Sequence, residues 1–198
     1  IGYRLVGSEM CIRDSTIAAA EHTIAMMLAL SRNIPIANSS TFLGKWERKK
    51  FVGNELFKKK LGVVGLGKIG THVAKVANAL GMDVYGYDPF VSSERAQQLQ
   101  VKLSELKTLF AESDYVTLHL PRTSETENLV DMKVLKSMKN NAKLINCARG
   151  GIIDEEALAE ALNNSLIGGA AIDVFSEEPL SSKSVSYTHL RAHETIAN

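Results

Sequence analysis

Three glycines in the run Gly65-Leu66-Gly67-Lys68-Ile69-Gly70 have the spacing of a phosphate-binding turn. Each has a separate physical task. Gly65 permits the tight turn, Gly67 offers backbone without a side chain so that a pyrophosphate can approach, and Gly70 lets a helix pack closely on a strand. A helix that opens at Lys68 would add unpaired N–H groups and a partial positive charge. Twenty-three residues after Gly65, near the expected separation of about 20, stands Asp88. A carboxylate there accepts both ribose hydroxyls of NAD and repels the 2′-phosphate of NADP, so NAD is the expected cofactor. Further along are His119, Cys147, Arg149 and Asp173. Arg149 precedes two glycines, which leave room for a ligand, and its guanidinium suits a two-bonded grip on a carboxylate. The alternative for Arg149 is a surface ion pair with Glu155 or Glu156. Cys147 reads either as a nucleophile or as a small buried hydrophobe. His119 reads as a wall of the cofactor pocket or as a proton-transfer group.

These residues need elements to carry them. An apolar run, 61–64, enters the glycine turn, and a helix over 68–80 follows, with Ile69, Val73, Val76, Ala77 and Leu80 at helical spacing. A second apolar run, 84–87, ends on Asp88. Strands are expected over 115–120, 142–148 and 167–174, and helices over 93–100, 104–111 (Ser104 as N-cap), 131–138 and 154–163. Short apolar runs alternating with helices specify an α/β fold, a doubly wound parallel sheet of Rossmann type covered on both faces. The glycine turn, Asp88, His119, Arg149 and Asp173 would then all lie at carboxyl ends of strands, where such sheets bind ligands.

A helix over 16–33 is apolar on most faces and must be buried in a core or against a partner subunit. Within it, His22 reads as a hydrogen-bonded structural residue. Residues 38–60 are polar and irregular, with Lys45, Arg48, Lys49, Lys50, Lys58, Lys59 and Lys60. Such a run is usually a solvated face; the alternative is a handle for a substrate phosphate. Trp46 is expected to pack over the domain surface. The chain of 198 residues carries a net charge of +1, which points to neither nucleic acid nor an anionic membrane surface. Two cysteines, Cys11 and Cys147, make no disulfide framework and suit a reducing cytoplasm. No metal site is expected.

The ordered set Gly65-Leu66-Gly67-Lys68-Ile69-Gly70, Tyr87-Asp88-Pro89, His119-Leu120-Pro121, Asn146-Cys147-Ala148-Arg149-Gly150-Gly151, Asp173-Val174-Phe175 and Glu177-Glu178-Pro179 resembles the NAD-dependent D-2-hydroxyacid dehydrogenases. Within them, Gly44-Lys45-Trp46-Glu47-Arg48-Lys49-Lys50-Phe51 and Glu94-Arg95-Ala96 look most like the branch that oxidises D-3-phosphoglycerate, a phosphorylated 2-hydroxy acid, in L-serine biosynthesis. The resemblance implies that Gly65, Gly67, Lys68, Ile69 and Gly70 hold the pyrophosphate and Asp88 the ribose. It implies that Leu120 lines the cofactor site, Cys147 and Ala148 border the nicotinamide through their backbone, and Asp173 holds the carboxamide. Arg149 would bind the substrate carboxylate and keto oxygen, and Glu178 would orient and charge a catalytic histidine. Related members with other substrates (glyoxylate or hydroxypyruvate, D-lactate) and a non-catalytic NAD-binding regulator are the competing readings.

One departure stands out. The family's catalytic histidine follows that glutamate at a distance, in a Pro-His-Leu-Gly setting; here His189 comes sooner, in Thr188-His189-Leu190, and reads as a decoy. Residues 1–15 and 181–198 are expected to be non-native flanks, with 16–180 the cofactor domain and the family's substrate domain largely absent. A homo-oligomer formed through 16–33 is also expected.

Overall fold

The structure is a computed structural model that describes residues 7–177, with side chains from residue 16 onward. Its centre is a six-stranded sheet of β1 (Lys60–Val64), β2 (Asp83–Tyr87), β3 (Lys102–Leu103), β4 (Tyr115–Leu118), β5 (Lys143–Asn146) and β6 (Gly169–Ile172). All pairings are parallel, and the order is β3-β2-β1-β4-β5-β6. The doubly wound arrangement expected from the sequence is therefore present. Its direction reverses between β1 and β4, the position where such sheets open a ligand crevice.

Register makes that crevice continuous. Tyr87, Val64, Leu118, Asn146 and Ile172 are successive partners across β2, β1, β4, β5 and β6. The residues one step further along are Asp88, Gly65, His119, Cys147 and Asp173. The chemistry-bearing positions thus share one row along the carboxyl edge.

Helices α1 (Gly7–Ser31) and α3 (Lys68–Ala79) pack together on one face of the sheet. Helix α4 (Ser93–Gln98) packs beside β3 at the sheet edge, and the opposite face carries α5 (Leu106–Glu112), α6 (Met132–Ser137) and α7 (Glu155–Asn163). Two cores result. One joins Ile24, Met27, Leu61, Val63, Val73 and Ile145; the other joins Val64, Leu109, Leu118, Leu135, Leu144 and Leu158. The sheet interior is apolar toward both, as two-sided burial requires.

Boundaries differ from expectation where local chemistry intervenes. The first helix starts at Gly7 rather than residue 16, so it runs through part of the stretch expected to show no helical period. It ends at Ser31, because Asn33 adopts a left-handed conformation (φ 54°) and starts α2 (Ile34–Phe42). Pro35 sits in the first turn of α2, where its missing N–H costs nothing. Only Ser40 of α2 is buried, so the sequence carries no amphipathic signal for this helix. A 3-10 turn at Arg48–Phe51 was likewise unsignalled. Ser104 does not cap the next helix: α5 begins at Leu106 with Glu105 at its N-cap. Trp46 is 81% exposed rather than packed over the surface.

The buried stripe of α1 is Ala20, Thr23, Ile24, Met27, Leu30 and Ser31, while Ile17 and Leu28 face outward. Its C-terminal end is stitched to the sheet by polar groups. The Ser31 hydroxyl lies 3.0 Å from the Tyr115 hydroxyl, and the Lys143 ammonium donates to the Leu30 carbonyl at 3.3 Å while lying over the Tyr115 ring. No helix among the described residues is long and apolar enough to cross a membrane.

Candidate cofactor-binding site

The glycine turn behaves as three distinct positions. Gly65 has φ 93°, and a β-carbon there would stand 2.5 Å from the His119 carbonyl oxygen across the β1/β4 gap. At Gly70 a β-carbon would stand 2.0 Å from the Gly65 carbonyl oxygen and 3.3 Å from Val63. These two glycines are demanded by the protein's own packing. Gly67 is not: its φ is −67°, and a β-carbon there would have nothing within 4 Å. The space above it is open, at the first turn of α3, and Gly67, Lys68 and Ile69 line it as exposed or half-buried residues. A phosphate group fits that cradle, where backbone N–H groups and the helix dipole point outward.

Asp88 tops the neighbouring strand. One carboxylate oxygen accepts the Leu66 N–H at 2.8 Å, and the other accepts the Phe90 N–H at 2.9 Å. The acid is thereby tied to the turn, and each oxygen retains acceptor capacity for a ribose hydroxyl.

On the far side of the switch point, His119 is half-buried, with its Nε2 3.0 Å from the Thr117 hydroxyl. Burial pushes its pKa from 6.5 down to about 4. A neutral imidazole at physiological pH suits the wall of a pocket better than a proton carrier. Below pH 6.5 the unfolded chain binds a proton that the folded one refuses, so this contribution to stability is full above 6.5 and is lost as pH falls toward 4. Urea midpoints measured between about pH 7 and pH 4 should therefore fall less steeply in His119→Gln than in the unaltered protein.

Beyond β5, Asn146 organises the next turn. Its side chain is 2% exposed; its oxygen accepts the Ala148 N–H at 3.1 Å and its amide donates to the Arg149 carbonyl at 3.0 Å. Asn146 was not expected to act as a positioning group; the available signal was an amide side chain inside an apolar run just before a Cys-Ala-Arg-Gly-Gly turn. Replacing Asn146 with alanine should cost about 2 kcal/mol, measurable by denaturant titration, because the turn loses two partly buried hydrogen bonds made by a buried side chain.

Cys147 is a free thiol, half-buried, and burial pushes its pKa up to about 12. Protonated at neutral pH, it is no nucleophile. Arg149 is exposed and donates to the Ala148 carbonyl at 2.6 Å. Glu155, one suggested partner, accepts instead from the Ser176 N–H at 2.6 Å. The double glycine after Arg149 does not make room for a ligand. A β-carbon at Gly150 would stand 1.7 Å from the Phe175 carbonyl oxygen, and one at Gly151 (φ 77°) would stand 2.8 Å from the Arg122 side chain. Those glycines admit neighbouring protein.

Asp173 follows β6, with its carboxylate 3.3 Å from His22 Nε2. His22 has a polar partner, as a structural histidine should, and that partner is a crevice residue. Leu120 is half-buried beside Gly65, its Cδ2 3.1 Å from where a Gly65 β-carbon would be. Lys50 pairs with Glu47, and Lys60 with Glu112 at the amino end of β1, away from the crevice. Glu178 and His189 lie outside the described residues.

The sequence model of the D-isomer specific 2-hydroxyacid dehydrogenase NAD-binding domain matches residues 24–196. The chain belongs to the D-2-hydroxyacid dehydrogenases. It forms their NAD-binding domain, and NAD is the cofactor of that domain. A relative from Synechocystis named D-3-phosphoglycerate dehydrogenase is 60% identical over 166 residues, covering 84% of this chain and 30% of the relative. One of the same name from Bacillus subtilis is 47% identical over 165 residues, covering 83% and 31%. The chain thus spans about a third of these curated relatives. Among solved structures, Salmonella D-lactate dehydrogenase superposes with a TM-score of 0.76 at 38% identity, over 80% of this chain and 48% of that one. D-lactate dehydrogenase from Aquifex aeolicus, complexed with NAD and lactic acid, gives 0.76 at 34% identity over 82% and 49%. The open face at Gly67 and the tethered Asp88 are the features of this D-2-hydroxyacid dehydrogenase domain that fit NAD.

Proposed function

We propose that the chain is the cofactor half of an enzyme that oxidises D-3-phosphoglycerate to 3-phosphohydroxypyruvate with NAD, in L-serine biosynthesis. The observation that carries the substrate assignment is the 60% identity to a relative of that name. In this reading Gly65, Gly67, Lys68, Ile69 and Gly70 hold the pyrophosphate and Asp88 the ribose. Leu120, Cys147, Ala148 and Asp173 border the nicotinamide. NAD, when bound, supplies the hydride acceptor. Arg149, exposed at the lip of the row, grips the substrate carboxylate and stabilises charge that develops on oxygen. Glu178 favours the protonated form of a histidine that removes the hydroxyl proton. Residues 16–180 are the cofactor domain in this reading, 1–15 and 181–198 are foreign flanks, and His189 is not the catalytic histidine.

The test is twofold. The chain of 198 residues should bind NAD in a calorimetric titration and show no turnover. NADH formation from D-3-phosphoglycerate by this chain, abolished by His189→Ala, would sink the decoy assignment. The natural full-length protein should form NADH from D-3-phosphoglycerate and lose that activity in Arg149→Gln. Preference for D-lactate, or for reduction of glyoxylate or hydroxypyruvate, would replace the substrate; saturable NAD binding with no turnover on any of them would make it a regulator.

We further propose that two copies associate through the 16–33 region of α1, where Ile17 and Leu28 are exposed. Sedimentation that returns only a monomer at high concentration counts against this. The free, half-buried Cys147 suits a reducing cytoplasm.

A further inference from the structure

His22, Cys147 and Asp173 come from three separate elements and meet at one point. Their candidate ligand atoms (an imidazole nitrogen, the thiol sulfur and a carboxylate oxygen) all lie within 4.8 Å of one another. We propose that these three side chains form a site for a thiophilic divalent cation, Zn2+ or Cd2+, whose occupancy closes the inner end of the cofactor crevice.

Geometry and ligand chemistry carry this. In a tetrahedral zinc site, bonds of about 2.0–2.3 Å place ligand atoms about 3.3–3.8 Å apart. His22 Nε2 and Asp173 Oδ2 already stand at 3.3 Å. The sulfur therefore has to close by roughly 1 Å at most to complete the triangle. Two of the ligands are held by the scaffold. Cys147 follows Asn146, whose side chain fixes the turn, and the Asp173 N–H donates to the Asn146 carbonyl at 3.0 Å. The third is adjustable, because the His22 side chain is 48% exposed and can swing on α1. One nitrogen, one sulfur and one carboxylate oxygen make a mixed set that favours zinc or cadmium over magnesium or calcium, which take oxygen donors. Three protein ligands leave a fourth corner for water, as in zinc sites that are not closed. On binding, the Cys147 S–H bond breaks, the sulfur keeps the electron pair that bonds the cation, and the proton passes to solvent.

Cys147 and Asp173 also stand in the row proposed to border the nicotinamide, so cation and NAD compete for the same space. The competition, unlike cation binding itself, rests on that proposed placement. Cadmium titration of the whole chain, free of any added histidine tag, should give one saturable equivalent with a thiolate-to-metal charge-transfer absorption in the ultraviolet. Cys147→Ser should abolish that absorption, and His22→Gln should weaken the cation by about tenfold or more. In NAD titrations, zinc at a concentration that fills the unaltered protein but not His22→Gln should lower the apparent NAD affinity of the former and leave that of the latter unchanged. Absence of a saturable equivalent overturns the proposal, as does binding that neither substitution alters while circular dichroism shows both variants folded. Site-specific cation binding that leaves NAD affinity untouched upholds the metal site and overturns the placement of the nicotinamide.

Discussion

Alanine at Gly70 should destabilise the domain by about 3 kcal/mol, a fall of roughly 6–12 °C in the thermal midpoint for a domain of this size. The added carbon would stand 2.0 Å from the Gly65 carbonyl oxygen. That oxygen belongs to a tight turn whose N–H is itself bonded to the Tyr87 carbonyl at 2.8 Å, so it cannot retreat without opening the β1–β2 edge. NAD binding should be lost along with the turn. Gly67→Ala is the informative partner. With φ −67° and nothing within 4 Å, the methyl group meets no protein atom, and stability should stay within about 0.5 kcal/mol. NAD affinity should nevertheless fall by about tenfold or more, because the methyl group occupies the approach to the backbone N–H groups. Differential scanning calorimetry and NAD titration on the two variants separate a glycine needed by the fold from one needed by the ligand. If Gly67→Ala binds NAD like the unaltered protein, the phosphate cradle is elsewhere.

The second large effect belongs to Asp88→Ala. Its carboxylate makes two charge-assisted bonds to backbone N–H groups, on Leu66 and Phe90, each within 2.9 Å. Removing it deletes the ribose acceptor and loosens the turn that presents Gly67. Loss of NAD affinity by about 100-fold or more is expected, since two hydrogen bonds to a charged group are together worth about 3 kcal/mol or more. Discrimination against NADP should narrow at the same time, since the charge that repels a 2′-phosphate is gone. Parallel titrations with NAD and NADP measure both. Unchanged discrimination would mean that another group reads the ribose.

The sheet and its carboxyl-edge residues were legible in the sequence because buried parallel strands read as short apolar runs, and each run here ends on a polar residue or glycine. Asp88, His119 and Asp173 were placed at strand ends by that signal alone, and register then brought them into one row. What stayed hidden was tertiary in origin. Nothing in the alternation of residues shows that Gly150 sits under the Phe175 backbone, so the double glycine looked like room for a ligand. Asn146 looked like an interior residue of the strand expected over 142–148, yet β5 ends on it and its side chain spans the turn that carries Arg149. Helix α2 has no buried stripe, and a helix without one leaves no period to read. His22 lies 151 residues from Asp173 in sequence, beyond any local pattern, and only the docking of α1 brings the two together.

That docking has a consequence for how many ways the first helix can sit. Its sequence is rich in alanine, methionine and leucine, and such a surface packs almost equally well if it slides by a turn or rotates a little. Apolar burial alone would leave several arrangements close in energy. The clamp at its C-terminal end removes that degeneracy. Only one setting lets the Ser31 hydroxyl meet Tyr115 while the Lys143 ammonium reaches the Leu30 carbonyl. Ser31 also bonds the Met27 carbonyl within the helix at 2.6 Å, so any other setting would instead strand the buried Tyr115 hydroxyl and the Lys143 ammonium, at a cost of several kcal/mol. A few polar atoms at the foot of the sheet thus select a single pose for a helix of 25 residues, and in that pose His22 reaches the opposite edge.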